Sequence, residues 1–195
     1  MFLRRAIIVS GCPGTGKTTL SSGLANALRA EIISLGELVE REGLYSTVDT
    51  DRDTKVADLD RLVPRVVELI GKAGESVIVE GHYADIVPSR LVDVVIVLRT
   101  HPEVLSKRLE AKGWSERKVR ENVQAEILGS CTFNALEAYG SKRVFEIDTS
   151  NLSEEETVSL ARRIIDEKPK EYRAGRINWL SLLDADDQLE KYFSS

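Results

Sequence analysis

Short unbroken apolar runs alternate along this chain with longer stretches whose apolar residues recur every three or four positions. The runs are Ala6-Ile7-Ile8-Val9, Ser76-Val77-Ile78-Val79 and Val92-Asp93-Val94-Val95-Ile96-Val97-Leu98. Their length and β-branching predict buried strands, and the last is as continuously apolar as a central parallel strand. Glu31–Ser34 and Arg143–Asp148 read as shorter strands. Helical spacing appears in Leu20, Leu24, Ala27 and Leu28, then in Leu62, Val66, Leu69 and Ile70, where a helix from Leu59 to Ala73 stops at Gly74. Gly36 to Glu42 reads as a polar-faced helix. Pro102 opens a helix that ends near Gly113, and Ser115 caps a long one running to about Ala138 through Val119, Val123, Ile127, Leu128 and Leu136. Ser153 and Glu156 form a capping box for a last domain helix, which reaches about Glu167 before Pro169. The alternation of the two periods predicts an α/β chain around a central parallel sheet.

Two stretches lack a clear period. Gly43 to Leu59, with Tyr45-Ser46-Thr47-Val48-Asp49-Thr50-Asp51-Arg52-Asp53 at its centre, reads as a solvated loop or a mobile flap over a substrate. The tail after Pro169 carries Trp179-Leu180-Ser181-Leu182-Leu183 and the acidic run Asp184 to Asp187; its apolar residues are expected to pack back on the domain.

Between the first strand and the first helix lies Gly11-Cys12-Pro13-Gly14-Thr15-Gly16-Lys17-Thr18, which fits the pattern G-x-x-x-x-G-K-[ST] of a phosphate-binding loop. Gly14 and Gly16 let the backbone wrap a phosphate with its N–H groups inward, and the following helix adds its positive end. Lys17 is expected on the β- and γ-phosphates and the Thr18 hydroxyl on Mg²⁺. The ligand implied is a nucleoside triphosphate.

Other candidates stand at strand ends, where open α/β sheets bind ligands. Glu80 is placed to organise Mg²⁺, or is merely a surface acid. His82 orients an attacking group or contacts phosphate, or is structural. Arg99 closes the long apolar strand. The basic cluster Lys107, Arg108, Lys112, Arg117, Lys118 and Arg120 is either a solvated face or a hinged cationic lid over ATP.

The 195 residues suit one domain with a substantial core, and 42% hydrophobic with 30% charged residues suits a globular protein. The net charge of −5 argues against a broad nucleic-acid-binding surface. No apolar run approaches the roughly 20 residues of a membrane span, and Met1–Arg5 leaves no room for a signal peptide before the first strand. The two cysteines, Cys12 and Cys131, make no disulfide framework, so a cytoplasmic location is expected. Cys12 either fills space in the loop or offers a thiol whose alkylation would block ATP.

The phosphate loop with Thr19, the Glu80-Gly81-His82 strand end, Val95-Ile96-Val97-Leu98-Arg99-Thr100 and Lys112-Gly113-Trp114-Ser115-Glu116-Arg117-Lys118-Val119-Arg120-Glu121-Asn122 together resemble a known family. The chain is similar, from Ala6 to about Glu167, to the small archaeal and eukaryotic adenylate kinases related to human adenylate kinase isoenzyme six, which double as ribosome-assembly ATPases. The resemblance implies a P-loop NTPase fold of the nucleoside monophosphate kinase kind, in three layers with a mobile flap and lid. It implies a single domain with its core in 4–33, 60–110 and 122–167, a monophosphate-binding region at 34–59, a lid at 111–121 and a tail at 168–195. The activity implied is transfer of phosphate from ATP to AMP, with broad acceptor range, slow ATP hydrolysis and a part in small ribosomal subunit maturation through a small-subunit ribosomal protein and pre-ribosomal particles. Gly14, Thr15, Gly16, Lys17, Thr18, Thr19, Lys112 and Asn151 would bind ATP; Glu37, Arg41 and Arg99 would meet the monophosphate; Thr18 and Glu80 would serve Mg²⁺; Lys17, His82 and Arg99 would be catalytic.

Three positions depart from the family pattern. Many relatives have Asp-x-His where this chain has Glu80-Gly81-His82. Some place an arginine where Glu40 stands, with Arg41 one residue along, and Lys112 replaces a common lid arginine. Two other readings stay open: an ATPase switch on a ribosomal protein with incidental kinase activity, and a P-loop kinase for a non-nucleotide small molecule.

Overall fold

The computed structural model describes residues 6–49 and 54–193. The expected core positions 4–5, the flap tip 50–53 and the tail end 194–195 lie outside the described residues. The elements in chain order are β1 (Ala6–Gly11), α1 (Lys17–Leu28), β2 (Glu31–Ser34), α2 (Leu35–Glu42), β3 (Tyr45–Asp49), β4 (Thr54–Ala57), α3 (Leu59–Lys72), β5 (Val77–Glu80) and β6 (Val92–Arg99). There follow α4 (Pro102–Glu110), α5 (Glu116–Ile127), α6 (Ser130–Tyr139), β7 (Val144–Asp148), α7 (Glu154–Glu167), α8 (Trp179–Ala185) and α9 (Glu190–Phe193).

Five strands pair in parallel in the order β2-β5-β1-β6-β7. Both faces are covered, which is why the runs are apolar throughout rather than alternating. Along β1, Ala6 and Ile8 pack with Leu62, Val66 and Ile70 of α3 and Ala135 and Tyr139 of α6. Ile7 and Val9 face the other way, onto Leu20 and Leu24 of α1 and Ala161 and Ile164 of α7. The chain leaves β1 for the sheet edge at β2 and returns on β1's other side at β6, so the switch point of the topology falls at the carboxyl end of β1. The register brings Ser34 opposite Glu80, Val9 opposite Glu80, and Gly11 opposite Leu98 at that same end.

The segment read as loop or flap is an antiparallel hairpin, β3 with β4. Ser46, Thr47 and Val48 are all exposed, so no face is buried to impose a two-residue period. The long helix expected from Ser115 is two helices. Gly129 bends the chain with φ 66°, a left-handed conformation that favours glycine. The carbonyl of Glu126, which a continuous helix would pair with residue 130, instead accepts from Gly129 N–H at 3.0 Å and from Arg99 Nη2 at 2.9 Å. The tail folds back as expected: Trp179, Leu183 and Tyr192 are buried, the last two with Leu105, Leu109, Val119 and Val123.

Candidate active site

The loop between β1 and α1 is shaped by close approach. Gly11 has φ 139°, and a Cβ there would lie 2.5 Å from the Leu98 carbonyl oxygen and 2.8 Å from Thr15 Oγ1. Thr15 is buried, and its hydroxyl donates to the Cys12 carbonyl at 2.8 Å, closing the turn. Lys17 Nζ donates to the carbonyls of Gly11 at 2.9 Å and Cys12 at 3.0 Å, lying along the loop it is meant to serve. Burial lowers the pKa of this ammonium, against the pull of Cys131, Cys12 and Glu80. No side chain caps α1, so its first N–H groups and its positive end face the loop's concavity.

Above the loop lies a cavity of about 650 Å³, lined by residues 13–20 and, opposite them, by Arg108, Ala111, Lys112, Thr149, Leu152, Glu154 and Thr157. Gly14, Thr15, Gly16, Lys17, Thr18, Thr19 and Lys112 thus surround one space. Asn151, expected at the adenine, is exposed and stands outside that lining, though its neighbours in the turn contribute. Of the basic cluster, Arg108 and Lys112 face the cavity. Arg117 and Arg120 pair with Glu121 and Glu116 one helical turn away, each at 3.1 Å, and Lys118 lies over the Trp114 ring.

Thr149 carries weight that the sequence did not reveal, and it anchors Arg108 of the basic cluster. Arg108 Nη2 donates to the Thr149 carbonyl at 2.8 Å. The Thr149 hydroxyl lies 3.0 Å from the Thr15 carbonyl and 3.1 Å from that of Arg99, so one side chain ties the β7–α7 turn to both the phosphate loop and the end of β6. A lone threonine in a polar turn gives no sequence signal of such a role.

Glu80 is only 7% exposed. Its Oε1 accepts from Ser34 Oγ at 2.9 Å and lies 3.5 Å from Thr18 Oγ1. Its Oε2 is buried and has no hydrogen-bond partner among the described residues, an orphaned acceptor that a hard cation with its waters would satisfy. Among the described residues no group of three or more His, Cys, Asp or Glu is placed to hold an ion. A cation here would therefore draw most of its ligands from phosphate and water. The residues present fit that arrangement.

His82 follows two positions on, stacked edge to face with Tyr83 at 4.4 Å between centroids. His82 is exposed and stands outside the lining of the cavity, yet the protein packed beside its ring removes part of its hydration and Lys17 repels its charged form, which together bring its pKa from 6.5 down to about 4. Glu37 and Arg41 do not reach this cavity. They line a separate cleft of about 170 Å³ between β2, α2 and α3, and Arg41 Nη2 lies 3.5 Å from Glu42. Glu40 instead forms an ion pair with Lys55 of the hairpin.

The expected role of Arg99 needs correction. Its side chain turns away from the loop into the protein, and the residue is 2% exposed. Nε donates to Glu126 Oε1 and Nη1 to Glu146 Oε1, each at 2.7 Å, and Nη1 also reaches the Ile177 carbonyl at 3.2 Å. Burial works against its charge, but the two carboxylates outweigh it and hold the pKa above the ordinary value. Trp179 Nε1 completes the shell of Glu126 at 3.0 Å. With every polar atom engaged in a dry site, this arginine cannot touch a transferred phosphate.

Two outcomes follow. Arg99→Ala leaves two buried carboxylates uncompensated and should cost roughly 3–5 kcal/mol, read from urea unfolding, while the folded fraction keeps its ATP affinity. Normal stability with lost turnover would restore the catalytic role. For His82, the depressed pKa keeps the ring neutral down to about pH 4, so the unfolded chain takes the proton first as pH falls from 6.5. The contribution to stability is complete above pH 6.5 and is lost as pH falls through 4. With two histidines in the chain, an NMR titration can follow the ring directly. Its midpoint should lie well below 6.5 and rise when ATP brings negative charge beside it; an ordinary midpoint indifferent to ATP would place His82 outside the site.

Comparison with known proteins agrees with this geometry. A family model described as an AAA domain matches residues 7–129. A Methanosarcina barkeri protein named "Putative adenylate kinase" is 40% identical over 183 residues, covering 90% of this chain and 97% of its own. A Methanocaldococcus jannaschii protein of the same name is 36% identical over 187 residues, covering 96% and 94%. Among solved structures, shikimate kinase from Acinetobacter baumannii superposes with a TM-score of 0.61 at 16% identity, covering 86% of this chain and 96% of that one. Shikimate kinase from Bacteroides thetaiotaomicron gives 0.56 at 22% identity, covering 83% and 98%. At such identity these two speak for the fold, that of a P-loop kinase. A parallel sheet switching at β1, a phosphate loop at the switch point and relatives matched along nearly their whole length place this chain in the small adenylate kinase family related to isoenzyme six.

Proposed function

We propose that the protein is a nucleoside monophosphate kinase that moves the γ-phosphoryl group of ATP to AMP, reversibly and with Mg²⁺, and hydrolyses ATP slowly when no acceptor is bound. The observation that carries this reading is the cavity itself: an uncapped helix end and a glycine loop on one wall, Arg108 and Lys112 on the other. The name its relatives bear supports AMP as acceptor.

The chemistry needs positioning and charge neutralisation more than covalent help. Lys17 leaves the Gly11 and Cys12 carbonyls for the β- and γ-phosphates, exchanging two neutral acceptors for charged ones. Thr18 and Glu80 would hold Mg²⁺, which supplies neutralising charge on the phosphate oxygens. Arg108 and Lys112 close from the lid side, 111–121 with the end of α4, and exclude water. Leu152 and Thr157 form the wall nearest the adenine. An acceptor monophosphate is already anionic and needs no base, which suits a neutral His82 that orients the acceptor or a water. We assign acceptor binding to 34–59, with α2 and the hairpin joined through Glu40 and Lys55. The described tail, 168–193, acts as a strap on the lid's base.

The role in small-subunit maturation, with a ribosomal protein as partner, rests on the family resemblance alone. Among the described residues no helix is long and apolar enough to cross a membrane; the cytoplasmic site of action we propose rests on the family resemblance.

The test is ADP formation from ATP and Mg²⁺ with AMP, CMP and a panel of non-nucleotide acceptors. AMP should stimulate strongly, with two ADP formed per AMP consumed. Lys17→Ala should lose about 10²–10³-fold in turnover, and His82→Gly should lose turnover while keeping ATP affinity. Unchanged turnover in the Lys17 variant would sink the site assignment. Slow ADP release indifferent to every acceptor would favour the ATPase switch, to be followed by a pull-down from ribosomal extract.

A further inference from the structure

Cys12 and Cys131 stand 119 positions apart in the chain, yet their sulfur atoms lie 3.9 Å from one another. Both are free thiols. Cys12, 2% exposed, belongs to the phosphate loop, and its carbonyl accepts from Thr15 and Lys17. Cys131, in the first turn of α6, is half-buried, and its thiol also lies 3.5 Å from the His82 carbonyl. The pair therefore sits beneath the loop, next to the two residues assigned to phosphate and acceptor, with one sulfur reachable by a small oxidant and the other behind it.

We propose that Cys12 and Cys131 are a redox modification site: a peroxide joins them in a reversible disulfide that pins the phosphate loop to α6 and stops turnover. A disulfide bond is about 2.05 Å long, so the sulfurs must close by roughly 1.9 Å, which calls for rotation of the two side chains and a shift of the loop. Cys131 reacts first. Its hydrogen bond with Cys12 and the nearby Lys17 ammonium bring its pKa below the ordinary value, whereas Cys12 is raised by that same pairing and by burial. The Cys131 thiolate attacks one oxygen of hydrogen peroxide, the O–O bond breaks, and the departing hydroxide takes up a proton to become water. The Cys12 thiol then attacks the Cys131 sulfenic sulfur, the S–O bond breaks, and a second water leaves with the Cys12 proton. Two thiols have given up two electrons and two protons, and one peroxide has become two waters. Excess dithiol reverses the reaction by exchange.

The loss of turnover rests on the reading of the loop as the ATP site. Binding requires Lys17 to leave the Cys12 carbonyl and the loop N–H groups to converge on phosphate; a bond that draws Cys12 toward α6 holds the loop out of that arrangement.

The test treats the whole, reduced chain with hydrogen peroxide and no nucleotide, followed by non-reducing mass spectrometry. The expected product is an intramolecular link between the peptides carrying Cys12 and Cys131, with two hydrogens lost, reversed by dithiothreitol. Turnover of the linked protein should fall at least roughly tenfold and return on reduction, while Cys131→Ser, with Cys131→Ala as a second variant, keeps its own turnover through the same treatment. Sulfinic acid on Cys131 without the link, or a link between chains, overturns the site. A linked protein that binds and turns over ATP like the reduced one overturns the switch. Calorimetry of ATP with the reduced protein separates the two readings: failure to bind there overturns the ATP site and the switch with it, the link standing only as a modification.

Discussion

Arg99 carries a full charge into an interior where neither water nor solvent ions can screen it, and the upper half of the structure is arranged around that fact. Burying a guanidinium is tolerable only when carboxylates and further hydrogen bonds surround it. Here Glu126 comes from α5, Glu146 from β7 and the Ile177 carbonyl from the tail. Each of those groups needs partners in turn. Glu126 takes the N–H of Thr100 and the indole of Trp179, and Glu146 takes the N–H groups of Gly175 and Arg176 and the hydroxyl of Thr132. The end of β6, the base of the lid, the α5–α6 corner and the tail are thereby fixed by a single cation. Removing any member leaves the others unpaired in a low dielectric, so the cluster holds or fails together.

This structural lock touches the candidate active site at Thr149. The Arg99 carbonyl accepts from both the N–H and the hydroxyl of Thr149, and the hydroxyl also lies against the Thr15 carbonyl. Arg108, which faces the nucleotide cavity, is held by the same residue. The loop's concavity and the cationic wall above it are consequently built on one frame. The loop itself is held by weak or incomplete partners: carbonyls on Lys17, a carboxylate with one oxygen unsatisfied beside Thr18, and an uncapped helix end. On the proposed function, a polyphosphate and its cation would supply each of these groups with charged or missing partners.

Much of this was legible in the sequence, for reasons that can be stated. The inner strands β5, β1 and β6 are buried on both faces, so burial writes itself as continuous apolar runs, whereas the edge strand β2 is largely exposed. The phosphate loop is legible because glycine spacing, lysine and threonine answer to one backbone geometry, and the Ser153–Glu156 capping box forms as read. The hairpin at β3–β4 was hidden because neither of its faces is buried. The break at Gly129 was hidden because the apolar spacing of α5 and α6 runs in phase across it, and a single glycine inside a helix costs only about 1 kcal/mol. Arg99 misled because an arginine at the carboxyl end of a central strand fits either a phosphate clamp or a buried tie. Its acidic partners stand 27 and 47 positions away, beyond any local pattern. Cys12 and Cys131 were separated in sequence for the same reason. Glu37 and Arg41 were placed by family position, and the structure sets them on a different cleft.

On the proposed function, ATP occupies the cavity over the phosphate loop and the acceptor occupies the region 34–59, whose cleft is separate from that cavity here. The most direct measurement is a crystal structure with a bisubstrate analogue in which two adenosines are joined by five phosphates. Phosphates should be wrapped by residues 14–19, one adenosine should lie against Leu152 and Thr157 beneath Arg108 and Lys112, and the other between α2 and the β3–β4 hairpin, with His82 at the junction. Phosphates bound away from the loop, or a second adenosine left in solvent, would contradict that assignment.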